Sequence, residues 1–268
     1  MGKVYIYCFC LKESKFLKRL PNNIIPIVLG NNKSQFFENE NNGINISHLN
    51  KYYAELTGIY WVFKNKIKQH NDDDWIGFCH YRRLWLNAVL NKKISFSNIY
   101  SKLLLKYNTS FNNFDTFLID PIYLKNEKLI DHFKNNHGKE IFEFLHEILD
   151  NKLYEDFINY GDQRKFSPCN MFITKPKILI NYCNLVFPLM EKFLEECLKR
   201  NLCVGNNIKL PAYFIERFTS YWFEKHTKVG YLSYAVFNNF YKSDVVNYIL
   251  NPLKLPFTSS FFPSKLKI

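Results

Sequence analysis

The chain has 268 residues, 47% hydrophobic and 18% aromatic, with a formal net charge of +12. This composition supports a sizeable buried core and excludes extended disorder, and the basic excess favours anionic partners: nucleic acid, an anionic membrane leaflet or phosphorylated small molecules. Lys is scattered among Asn, as in Asn65-Lys66 and Asn91-Lys92-Lys93, and there is no compact basic arm, zinc-finger spacing or RRM-type aromatic signature, so no nucleic-acid partner is expected.

The start, Met1-Gly2-Lys3-Val4-Tyr5-Ile6, reads as a first strand over residues 4–10 and not as a signal peptide, and no apolar stretch is long enough to span a bilayer. Seven cysteines (Cys8, Cys10, Cys79, Cys169, Cys183, Cys197 and Cys203) form an odd set, most of them inside apolar patterns, as buried reduced thiols do. A cytoplasmic protein is expected. Residues 24–29 form a second strand ending at Gly30, with Pro26 suggesting a sheet edge, and the Asn-rich stretch 31–45 reads as loop. Tyr53, Leu56, Ile59, Tyr60, Phe63 and Ile67 then recur at helical spacing, predicting one helix over 50–69, with Lys64, Lys66 and Lys68 near its C-terminal end where the dipole favours cations.

The run Trp75-Ile76-Gly77-Phe78-Cys79-His80-Tyr81-Arg82-Arg83 carries an apolar strand straight into one His, one Tyr and two Arg. Only six of the 36 basic residues are Arg (Arg19, Arg82, Arg83, Arg164, Arg200 and Arg217), so two adjacent ones at a strand end point to the planar fork that grips phosphate or carboxylate. The alternative is a surface ion network with Asp72, Asp73 and Asp74, each exposed pair worth roughly 0–1 kcal/mol. Strand neighbours face opposite sides, so one Arg could serve each purpose. The triple Asp precedes its strand, whereas ligands in open α/β sheets gather beyond strand carboxyl ends, and it reads as a solvated turn, not a metal site.

Residues 114–120 form another strand, stopped by Pro121, which sets Asp120 at a carboxyl end together with the His80 to Arg83 cluster. Helices follow at 126–136 and 139–150; His132, His137 and His146 lack the spacing of a metal site. After a polar loop at 162–168 comes a strand at 169–174, a long helix at 176–200 bending near Pro188, and a helix at 212–226 preceded by Pro211 and carrying Glu216-Arg217. Tyr231, Ser233 and Ala235 alternate with aromatic neighbours, and an apolar, basic tail closes the chain, where Lys254, Lys265 and Lys267 with Phe257, Phe261 and Phe262 either pack on the core or rest on anionic lipid. Strands and helices interleave for the first 175 residues and helices dominate afterwards, which makes the fold class α/β.

Three stretches resemble, in order and approximate spacing, a bacterial domain of capsule and O-antigen gene clusters: Asn50-Lys51-Tyr52-Tyr53-Ala54-Glu55-Leu56-Thr57-Gly58-Ile59-Tyr60-Trp61-Val62-Phe63-Lys64-Asn65, then Gly77 to Arg83, then Asn170-Met171-Phe172-Ile173 followed by Glu216-Arg217. Members are domain-of-unknown-function proteins regarded as GT-A-like glycosyltransferases. The resemblance implies a Rossmann-related mixed sheet flanked by helices in one domain, with residues 1–175 binding a nucleotide sugar and a mainly helical 176–268 on the acceptor side. It implies transfer of a sugar from a nucleotide-diphosphate donor to a surface glycan or its lipid-linked precursor, with peripheral contact with the anionic inner membrane as a further expectation. Family members commonly end the first strand with a His-Lys pair; here Cys8-Phe9-Cys10-Leu11-Lys12 stands there, so Lys12 keeps a basic group and the His is lost.

Many GT-A enzymes hold Mg²⁺ or Mn²⁺ at an Asp-x-Asp strand end. Here the comparable strand end bears His80-Tyr81-Arg82, and the expectation is that Arg82, with His80 and Arg83, takes the metal's place on the leaving diphosphate. A divalent cation on Asp120 is the less favoured option. Glu216, oriented by Arg217, is the expected acceptor base and Glu55 its rival. Glu55, Thr57, Tyr60, Lys64, Tyr81, Asn170, Arg217, Lys12 and Asp120 complete the expected substrate contacts. Two other readings use the same residues or charges: a non-catalytic module binding anionic glycan or nucleic acid through its Lys surplus, and a phosphoryl-type transferase acting on glycan.

Overall fold

The computed structural model describes residues 2–87, 103 and 109–236; the Asn91-Lys92-Lys93 stretch and the basic-aromatic tail lie outside the described residues. The strands are β1 (Val4–Cys10), β2 (Ile24–Val28), β3 (Glu38–Asn39), β4 (Trp75–His80), β5 (Arg83–Trp85), β6 (Thr116–Ile119), β7 (Ile122–Tyr123), β8 (Lys165–Phe166), β9 (Phe172–Thr174), β10 (Val229–Leu232) and β11 (Tyr234–Val236). The main sheet runs β10-β6-β9-β4-β1-β2-β3, with β5 folded back on β4 and paired with β11, while β7 and β8 form a separate ribbon. All pairings along the main path are parallel except those of β9, which is antiparallel to both β4 and β6. Because β9 opposes both neighbours, β1, β4 and β6 all end at one edge of the sheet, and β9 begins there.

Period-two alternation divides the strands between two cores. Tyr7 and Phe9 of β1 and Ile76 and Phe78 of β4 join the core that holds the helices, while Val4, Ile6, Cys8 and Cys10 with Trp75 and Cys79 join the other. The helical face collects the apolar stripes of α2 (Leu56–Asn65), α4 (Ile141–Ile148), α5 (Asn151–Tyr160), α6 (Pro176–Lys199) and α7 (Leu210–His226), with α1 (Asn50–Tyr53) and α3 (Leu129–His137) at its margins. Gly77 sits where β4 is squeezed: a Cβ there would come within 2.4 Å of Ile6 Cδ1 and 2.8 Å of Ile173 Cγ1.

The α/β class expected from the sequence is therefore the observed one, with five local differences. The helix expected over 50–69 is broken at Ala54, whose φ of 49° lies in the left-handed region, and Asn50 Nδ2 bonds the Ala54 carbonyl at 2.8 Å to hold the break. β2 is not an edge strand, since β3 pairs with it just past Pro26, at Ile27 and Val28, where N–H groups are available. Asp74 is not solvated: it is 2% exposed and accepts from the Lys3 and Asn71 amides at 2.7 and 2.9 Å, tying the amino end of β4. The helix α5, capped by Asp150 on the Leu153 amide at 2.8 Å, has no counterpart among the expected elements. Within the part expected to be mainly helical, β10 and β11 return to the sheet beside α6, which includes Pro188, and α7.

A buried carboxylate lies just beyond β3. Glu40 is fully inaccessible; its Oε1 accepts from the Gly30 amide, and its Oε2 has no partner among the described residues. Burial pushes its pKa from 4.5 up to about 7, against the opposing pull of the Gly30 amide and the Thr57 hydroxyl. A folded-state pKa above the unfolded value means that its stabilising effect is complete below pH 4.5 and disappears as pH rises through about 7. The neutral isostere removes that dependence. Glu40→Gln is expected to match the wild type near pH 5 and to exceed it by roughly 3 kcal/mol at pH 8; denaturant unfolding at the two pH values checks this, and equal pH slopes for both proteins would refute it.

Candidate active site

The histidine and the two arginines at the end of β4 are arranged by a tight hairpin. His80 pairs across to Arg83 at the start of β5, leaving Tyr81 and Arg82 as the turn, and the Tyr81 amide donates to the Phe9 carbonyl of β1 at 2.9 Å. Arg82 carries its guanidinium 5.3 Å from the centre of the Tyr81 ring. Among the described residues neither Arg82 nor Arg83 forms an ion pair, and Asp72 to Asp74 lie at the opposite, amino end of the same strand. The surface network considered from the sequence is thus not formed.

Opposite the hairpin, the chain enters β9 through a turn in which two successive non-glycine residues are left-handed: Cys169 at φ 72° and Asn170 at φ 47°. Four side chains hold it. Glu216 of α7 accepts the Cys169 amide at 2.5 Å, His80 Nε2 meets the Cys169 carbonyl at 2.8 Å, Asn170 Nδ2 donates to Glu55 Oε1 at 2.7 Å, and the Thr219 hydroxyl lies 3.1 Å from Asn170 Oδ1. Glu55 reaches this point because the break at Ala54 makes it the residue that precedes α2.

The electrostatics follow from burial. Since the Cys169 carbonyl can only accept, His80 carries its proton on Nε2. Burial lowers the His80 pKa below 6.5, Arg83 and Arg82 lower it further and Glu55 opposes them, so the ring is neutral at pH 7. His80 is placed here as a hydrogen-bond donor to the Cys169 turn. Burial raises the Glu216 carboxyl against the pull of Arg217, whose Nη1 donates to Glu216 Oε2 at 2.7 Å. The Arg83 pKa is raised, with Cys169, Tyr234, Glu55 and Glu216 as its electrostatic neighbours, and its guanidinium is charged as any arginine is. Burial pushes the Cys169 thiol up to about 12, which makes it inert as a nucleophile.

Some expected contacts are placed elsewhere. Arg217 is only 5% exposed, donates to the Tyr213 carbonyl at 3.0 Å and lies 4.5 Å from the Phe166 ring centre, so it supports Glu216 from inside. Thr57 is fully buried and bonded to the Ala54 carbonyl at 3.0 Å, Tyr60 packs edge-on against Phe187 at 4.9 Å, and Lys64 is exposed over Tyr60 and Phe63 toward the far end of α2. Lys12 is exposed two residues past β1. Asp120 follows β6 and accepts from the Ser233 hydroxyl at 2.7 Å, with burial raising its pKa. Among the described residues no three His, Cys, Asp or Glu side chains converge as cation ligands. Asp120 is a single carboxylate with a hydroxyl partner.

Residues 5–227 match the profile of a family described as Domain of unknown function (DUF4422). The chain belongs to the DUF4422 family. A search of curated proteins finds no match. Among solved structures, the apo structure of the WbbM bifunctional glycosyltransferase is similar at a TM-score of 0.70 and 20% identity, over 89% of this chain and 46% of that one. The chain thus spans about half the length of that protein, and the likeness establishes a GT-A-like fold. Within the DUF4422 match fall Glu55, His80, Arg82, Arg83, Asn170 and Glu216. Ser233 and Tyr234 lie beyond it, yet Tyr234 is buried beside Arg83 and Asp120 because β11 pairs with β5. No local motif marked Tyr234, and the same is true of Cys169 and Thr219.

Asn170 tests this arrangement. Asn170→Ala removes the donor to Glu55 and places a Cβ-bearing residue without a local polar side chain in the left-handed region, and is expected to cost roughly 2–4 kcal/mol. Asn170→Gly loses the same bonds without the backbone penalty and should cost about 1 kcal/mol less. Chemical denaturation of the pair checks the order; equal losses would show that the turn is not strained.

Proposed function

We propose that this DUF4422 protein is a glycosyltransferase that moves a sugar from a nucleotide-diphosphate donor to a glycan or lipid-linked glycan of a bacterial surface polysaccharide. The observation that carries the reading is the convergence, at the carboxyl edge of β1, β4 and β6, of two arginines that no described carboxylate pairs with and of Glu55, whose Oε1 accepts from Asn170. The GT-A-like fold and the likeness to the WbbM bifunctional glycosyltransferase support the same class. Carboxyl strand ends are where open α/β sheets take their ligands.

In this reading the acceptor hydroxyl attacks the anomeric carbon, the bond to the diphosphate oxygen breaks with its electron pair, and Arg83 and Arg82 receive the charge that develops. Glu55 takes the acceptor proton. This assigns to Glu55 the role that the sequence favoured for Glu216, because both Glu216 oxygens are engaged, one by the Cys169 amide and one by Arg217. His80, Asn170 and Glu216 keep the Cys169 turn in place, and Tyr81 supports Arg82.

The test is a screen of nucleotide sugars by thermal shift followed by turnover measurements on variants. Arg83→Ala is expected to reduce kcat by roughly 10²- to 10³-fold, with Arg82→Ala reducing it less. Glu55→Gln should lower kcat with donor binding kept, whereas Glu216→Gln should lower thermal stability as well. Full turnover in Arg83→Ala, or full activity in Glu55→Gln with loss in Glu216→Gln, would overturn the assignment.

A further inference from the structure

Two loops at the carboxyl ends of β1 and β2 form one rim. Glu13 accepts from the Ser34 hydroxyl and the Gln35 amide at 2.5 and 2.9 Å, Lys18 pairs with Glu13 at 3.1 Å, and the Lys18 ammonium sits 3.2 Å from the centre of the Phe36 ring. These bonds tie residues 11–19 to residues 31–37 and fix what they expose. Phe36 is 66% accessible and Leu11 49%, a large outlay of apolar surface for a rim with a built framework beneath it. Around them the two segments carry five basic residues against one acid, Glu13, and Lys15, Arg19 and Lys33 are exposed.

We propose that this rim docks the protein on a bilayer bearing anionic headgroups, with Phe36 and Leu11 entering the interfacial layer and the surrounding cations meeting the lipid phosphates. The chemistry matches on both counts: exposed apolar side chains gain from the headgroup boundary, and each Lys or Arg near an anionic surface adds attraction. Lys18 takes one face of Phe36, which leaves a single ring face for a base to stack on. The rim lies on the sheet edge that carries the candidate site, since β1 is parallel to β2 and β4, so docking turns that edge toward the membrane.

Flotation of the full chain with phosphatidylglycerol-containing vesicles and with pure phosphatidylcholine vesicles tests this, for the wild type, Phe36→Ser and the double variant Lys15→Glu with Lys33→Glu. Binding is expected only to the anionic vesicles, weakening with salt and falling about tenfold or more in either variant. The variants should keep the wild-type melting temperature and any turnover of a soluble acceptor, so loss of docking is separable from failure of the proposed reaction. Equal binding to neutral vesicles, no vesicle binding, binding unchanged in both variants, or retention only on heparin or duplex DNA would each overturn the proposal.

Discussion

Cys169 and Asn170 occupy the left-handed region one after the other, a backbone state that costs L residues about 1–2 kcal/mol each and persists only where the surroundings over-determine it. The candidate site is the set of groups that over-determine it. Glu55 comes from the break between α1 and α2, His80 from the end of β4, and Glu216 and Thr219 from α7, three segments far apart in sequence that meet on one turn. A further strained residue, Ala54, aims Glu55 at that turn. Each of these groups therefore takes its position from the others, and the bond between Glu55 and Asn170 links the two strained points.

Much of the frame was legible in the sequence because it rests on local patterns. The apolar run from Trp75 and the rare adjacent arginines marked a strand end, and the hairpin of His80 and Arg83 is what that run becomes. The helix break at Ala54 was not legible, since apolar spacing continues across it and the cause is a side-chain bond from Asn50. Nor was the return of β10 and β11, because pairing with β6 and β5 is non-local and nothing in Val229 to Val236 names its partners. Glu216 and Arg217 were legible as a pair, but their burial was not: it follows from α7 lying under β8 and the Cys169 turn, with Phe166 against the guanidinium.

Burial also sorts the charges. Glu216 and Arg217 neutralise each other inside, and each lowers the cost of burying its neighbour, although neither gains much net stability from a pair so far from water. His80 is neutral. What remains toward the sheet edge is Glu55 with Arg82 and Arg83, a positive excess in a partly desolvated setting where an arriving anion is attracted more strongly than in bulk water. The overall charge of +12 adds long-range attraction, but scattered lysines cannot discriminate among anions as a planar guanidinium pair can.

The hairpin gives that pair unequal settings. Arg83 begins β5, where the backbone is fixed by pairing with His80 on one side and Val236 on the other, and its surroundings are half-buried Cys169 and buried Tyr234. Arg82 sits at the turn against the Tyr81 ring, with fewer constraints. A fixed dipole or charge stabilises a developing anion without reorganising at the moment of reaction, whereas a looser one must first be ordered. In the proposed transfer, Arg83 is thus the preorganised partner of the departing diphosphate, and Arg82 the one that adjusts to the nucleotide as it binds and leaves. The difference arises from the register of one hairpin, which puts Arg82 in the turn and Arg83 in the strand.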